Sequence, residues 1–432
     1  MNIEAARLMT TAETAFVDIF EANEDHLPGD DTVKDARIAA IAALKHAGLP
    51  TRKVEAWHYT DLRRLLNTGY KLAEPPEFDD VKADARRLQL EVDTLKLPFA
   101  NGHFLKEMAD ELPATVRIDP IAACAFIPAP YEADPSDAII MLNTALFSDG
   151  VCLHVAPDAK LPQPIEIDVA FSGDDKIMAA TRHRVEVNAG AEATFVDRCG
   201  GPDRVQYLSC SMVELTVAEN AKATWIISQE QGDLATRLAR LNITLKKNAQ
   251  LTVVVVNAGG NLVRQEINAD IIGEGADLII RGVNLVGGDS HVDVTTKLLH
   301  KVQNTTSTET FRNVTTGRGS GVFQGMIGVA QPAQQTDARM ACNTLILSDD
   351  SGFSAKPELE IFADDVQCAH GATVTDLDAT QLFYLKARGI PEDKARALLV
   401  KAFLSEIVED LDDDALSEVL DHRIERWLEA HD

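Results

Sequence analysis

The spacing of the hydrophobic positions divides this chain into three regions. In roughly the first 70 residues, apolar side chains recur at helical spacing, as at Phe16, Ile19 and Phe20. From about residue 150, short segments alternate between apolar and polar positions, which is typical of β-strands. Helical spacing returns after Asp376. The pattern therefore predicts helices at both ends of a long strand-rich region.

Turn-forming and capping residues predict where several elements end. Gly48-Leu-Pro50 predicts the end of the second helix, and Glu74-Pro-Pro-Glu77 predicts a linker. Near the C-terminus, either Asp376 or Asp378 is expected to cap a helix that Gly389 closes.

A four-residue motif repeats through the strand-rich region and predicts its architecture. It consists of a turn-type residue, an alanine, a polar residue and an apolar residue, and its copies start 27 to 32 residues apart. The copies begin at Asp158, Gly190, Asn220, Asn248 and Gly275. Glycine, asparagine and aspartate tolerate positive φ at a tight corner, and a small alanine can pack just inside it. This repeat predicts a β-solenoid whose stacked coils bury rows such as Leu241, Ile243 and Leu245, with a β-sandwich as the structural alternative.

The net charge of the chain narrows its expected partners. Its 432 residues include 68 acidic and 41 basic side chains, which gives a formal net charge of −27. This charge would repel a polyanion, so neither nucleic acid nor an anionic membrane surface is expected as a partner. No apolar run is long enough for a transmembrane helix, and the first residues lack a signal-peptide pattern.

The six cysteines are spread through the sequence without close pairs. They occupy positions 124, 152, 199, 210, 342 and 368. This spacing does not predict a disulfide framework and fits a reducing compartment. We therefore expect a cytoplasmic protein.

Cys368 and His370 are the strongest candidates for metal chemistry. The segment from Glu358 to Val374 is rich in strand-forming residues, and positions two apart in a strand face the same way. A thiolate and an imidazole on one face can hold zinc, iron or part of a cluster. A closed structural site needs four ligands, so the others must come from elsewhere in the chain or from a partner. The structural alternative is a buried cysteine and a hydrogen-bonded histidine at a strand end.

Sequence motifs for nucleotide hydrolysis are missing. The chain has no G-x-x-x-x-G-K-[ST] motif, so it is not expected to hydrolyse ATP by itself. Gly317-Arg-Gly-Ser-Gly321 is similar to a phosphate-binding loop, but a strand-like run follows it where a helix should begin. We interpret these glycines as turn residues of the solenoid.

Two segments of the chain resemble one protein family. Cys368-Ala-His370-Gly-Ala-Thr, then Gln381-Leu-Phe-Tyr, then Arg388-Gly-Ile390, resemble the C-terminal signature of the SufB/SufD family of iron–sulfur cluster assembly scaffolds. The segment from Arg52 to Leu62, RKVEAWHYTDL, is similar to an element of the SufD branch. Some members of the SufB branch carry clustered cysteines near the N-terminus, whereas this chain has none before residue 124.

The resemblance implies a mainly β protein with a right-handed parallel β-helix core between two helical domains. Together with the hydrophobic pattern, it predicts an N-terminal helical domain over residues 1–95, a β-helix core over 96–372 and a C-terminal helical domain over 373–432. The mixed stretch between about 100 and 130 predicts no definite element.

The resemblance also implies a function. It predicts a scaffold that is not an enzyme, pairs with a SufB-type scaffold and binds a SufC-type ABC ATPase. Carried over by motif position, His370 is the first candidate ligand at the cluster interface and Cys368 the second. No permanently bound cofactor is expected, only a transient iron–sulfur cluster or iron at the partner interface. For the isolated chain, the sequence leaves the oligomeric state open, with a homodimer as one alternative.

The same resemblance places the docking region for the ATPase in the C-terminal helices. Its candidate residues are Gln381, Leu382, Phe383, Tyr384, Leu385 and Phe403. An alternative function for a β-solenoid is a carbohydrate-active enzyme, but the low aromatic content of 5% and the lack of a signal-peptide pattern disfavour it.

Overall fold

The computed structural model describes residues 8–75, 92–124, 137–408 and 413–431. The predicted linker Glu74–Glu77 and the predicted mixed stretch therefore lie partly outside the described residues. The α-helices of the described residues are α1 (Thr11–Asn23), α2 (Asp31–Ala47), α3 (Leu62–Leu65), α4 (Ala138–Leu146), α5 (Ala379–Ala387), α6 (Glu392–Ser405) and α7 (Asp414–His431). Single turns of 3₁₀-helix lie at Glu55–Trp57, Lys106–Met108 and Ile121–Ala123.

The described strands form two ten-stranded sheets. Sheet A contains β19 (Gly352–Ile361), β17 (Ser320–Val329), β15 (His291–His300), β13 (Leu262–Ile271), β11 (Thr236–Leu245), β9 (Leu208–Val217), β7 (Ile177–Val187), β5 (Val151–Val155) and β4 (Val116–Pro120), with β1 (Lys71–Leu72) beside β7. Sheet B contains β20 (Gln367–Thr375), β18 (Asp337–Ile346), β16 (Thr306–Thr315), β14 (Asp277–Val286), β12 (Gln250–Asn257), β10 (Lys222–Glu230), β8 (Glu192–Gly200), β6 (Ile165–Ala170), β2 (Leu95–Ala100) and β3 (His103–Phe104).

The two sheets form a parallel β-solenoid. From β5 onward, successive strands alternate between the sheets, and each pairs in parallel with the strand two positions along the chain. The inner faces enclose one apolar core of mostly aliphatic side chains, in which Leu241, Ile243 and Leu245 are at most 2% exposed. The solenoid with flanking helices is therefore confirmed, and the β-sandwich alternative is wrong. The predicted domain boundaries stay predictions.

The repeated motif forms the corners between coils. All five predicted corner residues have positive φ, from 52° at Asn248 to 74° at Gly275, and the alanine after each is buried. Two further corners, at Asn304 and Gln335, also have positive φ. The sequence pattern missed them because buried threonines, Thr305 and Thr336, replace the alanine.

Helices cover the outer faces of both sheets. Helices α1, α2 and α4 pack on sheet A, where Phe16 and Leu142 share a buried cluster with Leu208. Helices α6 and α7 pack on sheet B, where Leu404 and Ile424 share a cluster with strand residues such as Val254. Helix α4 lies within the region predicted as solenoid core, and all nine of its residues are buried.

Local capping agrees with the predicted helix ends. Gly48, with φ 73°, follows α2, and its N–H donates to the carbonyl of Leu44. The carboxylate of Asp378 accepts hydrogen bonds from the N–H groups of the first turn of α5. Asp378 is therefore the cap of the two predicted candidates, and Gly389 closes the helix with φ 88°.

Cys124 and Cys152 are joined by a disulfide, with their Cα atoms 6.7 Å apart. The expectation drawn from the scattered cysteines is therefore wrong for this pair. Antiparallel pairing of β4 with β5 places Asp119 opposite Cys152, and the 3₁₀ turn that follows β4 brings Cys124 back to it. Contacts of this kind depend on strand pairing, so spacing along the sequence does not indicate them.

Candidate functional site

The candidate site lies at the end of the solenoid where β19 and β20 are the last strands of their sheets, here called the open end. Each of these strands pairs with a neighbour on one side only within the described chain. Most residues of β20 are exposed, whereas those of earlier strands are largely buried. The stacked core therefore stops at this end without a further coil over it.

Cys368 and His370 face inward at the open end. In the parallel register of β18 and β20, Cys368 lies opposite Ala338 and His370 lies opposite Met340, both of which are buried in the core. The predicted common orientation of the two side chains is thus present. Their surroundings differ, because Cys368 is half-buried against the core while His370 is exposed.

The floor around these two side chains is apolar and open. Phe353, Ala355 and Leu359 of β19 pack half-buried against the end of the core. A Cβ built on Gly371 would meet no atom within 4 Å, so the backbone beside His370 is unobstructed. The open end therefore has room for an apolar partner surface around a thiol and an imidazole.

The electrostatics of Cys368 favour its thiol form in the isolated chain. Partial burial raises the pKa of this thiol, and the charge of Asp337 adds to the rise, whereas a hydrogen bond from the backbone of Ala338 opposes it. A metal needs the thiolate, so binding here would release a proton. The described residues contain no group of three His, Cys, Asp or Glu side chains placed to hold a metal ion.

The candidate ATPase-docking residues lie in two different environments. On α5, Phe383 is 72% and Tyr384 57% exposed, which is unusual for two adjacent aromatic side chains. Gln381 is exposed beside them, and Leu382 and Leu385 are half-buried. Phe403 lies on α6, where it packs half-buried against the cluster on sheet B with the guanidinium of Arg312 over its ring.

The segment from Arg52 to Leu62 anchors the N-terminal region to strands β13 and β15 of sheet A. The guanidinium of Arg264 lies over the ring of the buried Trp57, and it donates to the carbonyl of Ala56 at 3.0 Å. Close by, the hydroxyl of Thr60 donates to Asp293. Sequence reasoning used this segment only as a marker of the family branch, because its contacts are more than 200 residues away.

The solenoid core also contains a buried acidic residue, Glu309, which the sequence analysis did not single out. It occupies an inward-facing position of β16 between Ser307 and Phe311, which are also buried. No sequence signal indicated it, because only Phe311 is apolar among the inward-facing residues Ser307, Glu309, Phe311 and Asn313 of this strand.

Two models of one protein family match successive parts of this chain. Residues 170–403 match the family model of the SUF system FeS cluster assembly SufBD core domain, and residues 10–167 match that of the SufBD protein N-terminal region. The two models together cover most of the described chain.

Individual proteins show the same similarity over nearly the whole length. The iron–sulfur cluster assembly protein SufD of Escherichia coli is 28% identical over 90% of this chain and 91% of its own length. A SufBD family iron–sulfur cluster assembly protein of Synechocystis is 27% identical over 88% of both chains. One from Staphylococcus haemolyticus is 26% identical over 62% of this chain and 58% of its own.

Within the described part of the chain, no helix is long and apolar enough to cross a membrane.

Proposed function

Because the chain belongs to the SufBD family of iron–sulfur cluster assembly proteins, we propose that it is a scaffold subunit of the SUF machinery without ATPase activity of its own. In this role it pairs with a SufB-type scaffold and binds a SufC-type ABC ATPase. The family similarity favours this function over the alternative of a carbohydrate-active solenoid.

The observation that carries the proposal is the open end of the solenoid. Unpaired strand edges and an uncovered apolar core are a liability for a monomer, because they invite pairing with another chain. A partner solenoid would continue both sheets across β19 and β20 and cover Phe353 and Leu359. The same surface supports a homodimer when the usual partner is absent.

The position of Cys368 and His370 supports a shared ligand set. Both lie within the surface that the partner would cover, and the described chain offers no third ligand beside them. Iron or a nascent cluster, the cargo of assembly, would complete its coordination with side chains of the partner. His370 would be the principal ligand from this chain and Cys368 the secondary one.

The exposed aromatic pair on α5 supports a separate docking site for the ATPase. Phe383 and Tyr384 extend from the C-terminal helices, with Tyr384 held by a hydrogen bond to its hydroxyl from Arg388. Aromatic side chains exposed in this way commonly anchor protein–protein contacts.

The pairing is tested by size-exclusion chromatography with light scattering on the full chain mixed with a SufB-type and a SufC-type protein. Ala372 lies opposite the buried Cys342 and so faces inward at the open end. Ala372→Arg is expected to abolish pairing with the SufB-type protein. The matched control is Ala369→Arg on the opposite face of the same strand, and equal pairing by both variants would contradict the proposed interface.

ATPase docking is tested in the same mixture. The double variant Phe383→Ser and Tyr384→Ser is expected to lose binding to the SufC-type protein and to retain binding to the SufB-type protein. Leu398→Ser on α6, which is 50% exposed, is the control. Unchanged ATPase binding in the double variant would exclude α5 as the docking site.

A further inference from the structure

Glu309 lies in the same inward-facing column of sheet B as His370. In the parallel register, Ile280 of β14, Glu309 of β16, Met340 of β18 and His370 of β20 follow one another. The carboxyl group is therefore two strand spacings, roughly 10 Å, below the imidazole at the open end.

The carboxyl group of Glu309 is buried almost without hydrogen-bond partners. Its side chain is fully buried, and neither carboxylate oxygen has a hydrogen-bond partner of normal geometry. Burial raises the pKa of Glu309 to about 7, and the hydroxyl of Thr296, across the core on β15, opposes the rise only in part. A carboxyl group in such a place favours its neutral form.

The surroundings offer no opposite charge. The inward-facing titratable groups on the strands around Glu309 are Cys342 of β18 and His300 of β15, with Cys368 and His370 at the open end. The buried His300 lies within hydrogen-bond distance of Ser307 and Thr305, and burial lowers its pKa to about 4, so it is neutral. The inward-facing positions described for β14 to β19 include no lysine or arginine.

A positive charge at the open end would shift the protonation equilibrium of Glu309 toward the carboxylate. With an effective dielectric constant of about 20, each unit of positive charge about 10 Å away favours the carboxylate by roughly one pH unit, a tenfold change. Salt screens this interaction weakly, because the path between the two groups runs through the core.

We propose that Glu309 is the proton-exchanging counter-charge of the open end. It carries a proton while the end is empty and gives that proton to bulk water when a divalent metal ion binds at His370 and Cys368. The inference rests on the proposed ligand role of these two residues, and its test separates the two.

The first measurement needs no metal. Infrared titration of the full chain, with Glu309→Gln as the reference, follows the carboxyl band that the substitution removes. We expect this band to persist at pH 6 and to be lost between pH 6 and 8. A Glu309 carboxyl group that is already ionised at pH 5.5 overturns the proposal and leaves the ligand role of His370 untouched.

The second measurement counts the protons released when Co(II) is added to the full chain at pH 6.5. If the bound ion and the Cys368 thiolate leave one net positive charge, Glu309 should release about half a proton per ion, in addition to the proton of the thiol. Glu309→Gln should lose this component and keep the thiol component. Glu219→Gln, at an exposed corner, should release as many protons as the wild type.

The outcomes distinguish the two hypotheses. Binding that depends on His370 but releases equal numbers of protons from the wild type and from Glu309→Gln overturns the counter-charge and supports the ligand role. Co(II) binding that is the same in His370→Ala overturns both. Glu309→Met, which also lacks the carboxyl group, replaces the glutamine variant if that variant does not fold.

Discussion

The guanidinium of Arg264 lies 4.4 Å from the centroid of the Trp57 ring, and both side chains are at most 1% exposed. Arg264 also forms ion pairs with Asp293 and Glu266, at 2.5 and 3.1 Å. A buried charge is stable only when it is paired in this way. The N-terminal segment thus covers a buried charge network on the outer face of β13 and β15.

Replacing Trp57 by alanine is expected to destabilise the chain by about 3–5 kcal/mol, because it leaves a cavity and exposes the charge network below the ring. Urea unfolding of the full chain measures this loss. Phe383→Ala, which removes an aromatic ring that is 72% exposed, should change the free energy of unfolding by less than about 0.5 kcal/mol. Equal effects of the two substitutions would contradict the anchoring role of Trp57.

The stability of the chain should fall as the pH rises through the slightly acidic range. The pKa of Glu309 is raised from 4.5 to about 7, so the folded state holds the proton more tightly than the unfolded state. Its contribution is fully present below pH 4.5, and about 3 kcal/mol of it is lost by pH 7.

Glu309→Gln should remove this pH dependence. Its free energy of unfolding is expected to exceed that of the wild type at pH 8 and to approach it at pH 5. Urea titrations at both pH values check the sign, with Glu219→Gln as the control at an exposed position. A variant that is less stable than the wild type at pH 8 would show that the carboxylate has a partner.

The disulfide predicts a specific thiol count. Alkylation of the unfolded chain without reductant should modify four cysteines, namely the free Cys199, Cys210, Cys342 and Cys368, and six after reduction. Because the bond closes a loop of 28 residues, its loss should cost about 3–4 kcal/mol. Mass spectrometry of the alkylated chain gives the count, and six modified cysteines before reduction would exclude the bond.

Structural features that depend on local periodicity could be predicted from the sequence. Features that depend on how the coils stack could not. The corner at Asn248 could be recognised because its backbone conformation restricts the residue type, and the alternation of β20 placed Cys368 and His370 on one face. Their unequal burial depends on which coil is last. No local pattern specifies that.

Long-range contacts account for the other differences. Trp57 meets Arg264 from more than 200 positions away, and Cys124 meets Cys152 only because two short strands pair antiparallel. The corner at Asn304 was missed for a different reason, since a threonine fills the space that alanine occupies in earlier coils.

The last prediction concerns His370, whose exposure separates function from stability. Because the side chain is exposed at the end of the core, His370→Ala should change the free energy of unfolding by about 0.5 kcal/mol or less. Loss of a ligand from a shared site leaves its coordination incomplete, so cluster supply should fall severely. Cys368→Ser should have a smaller effect, because burial raises the pKa of this thiol and disfavours the thiolate.

Complementation of a strain that lacks this protein, together with thermal melts of both variants, tests the role of His370. The expected result is a strain that fails to supply clusters although His370→Ala melts within about 2 °C of the wild type. The exposed His58 of the N-terminal segment provides the matched histidine-to-alanine control. Normal cluster supply in His370→Ala, or a failure explained by unfolding alone, would mean that this histidine is structural and that the open end acts only as a pairing surface.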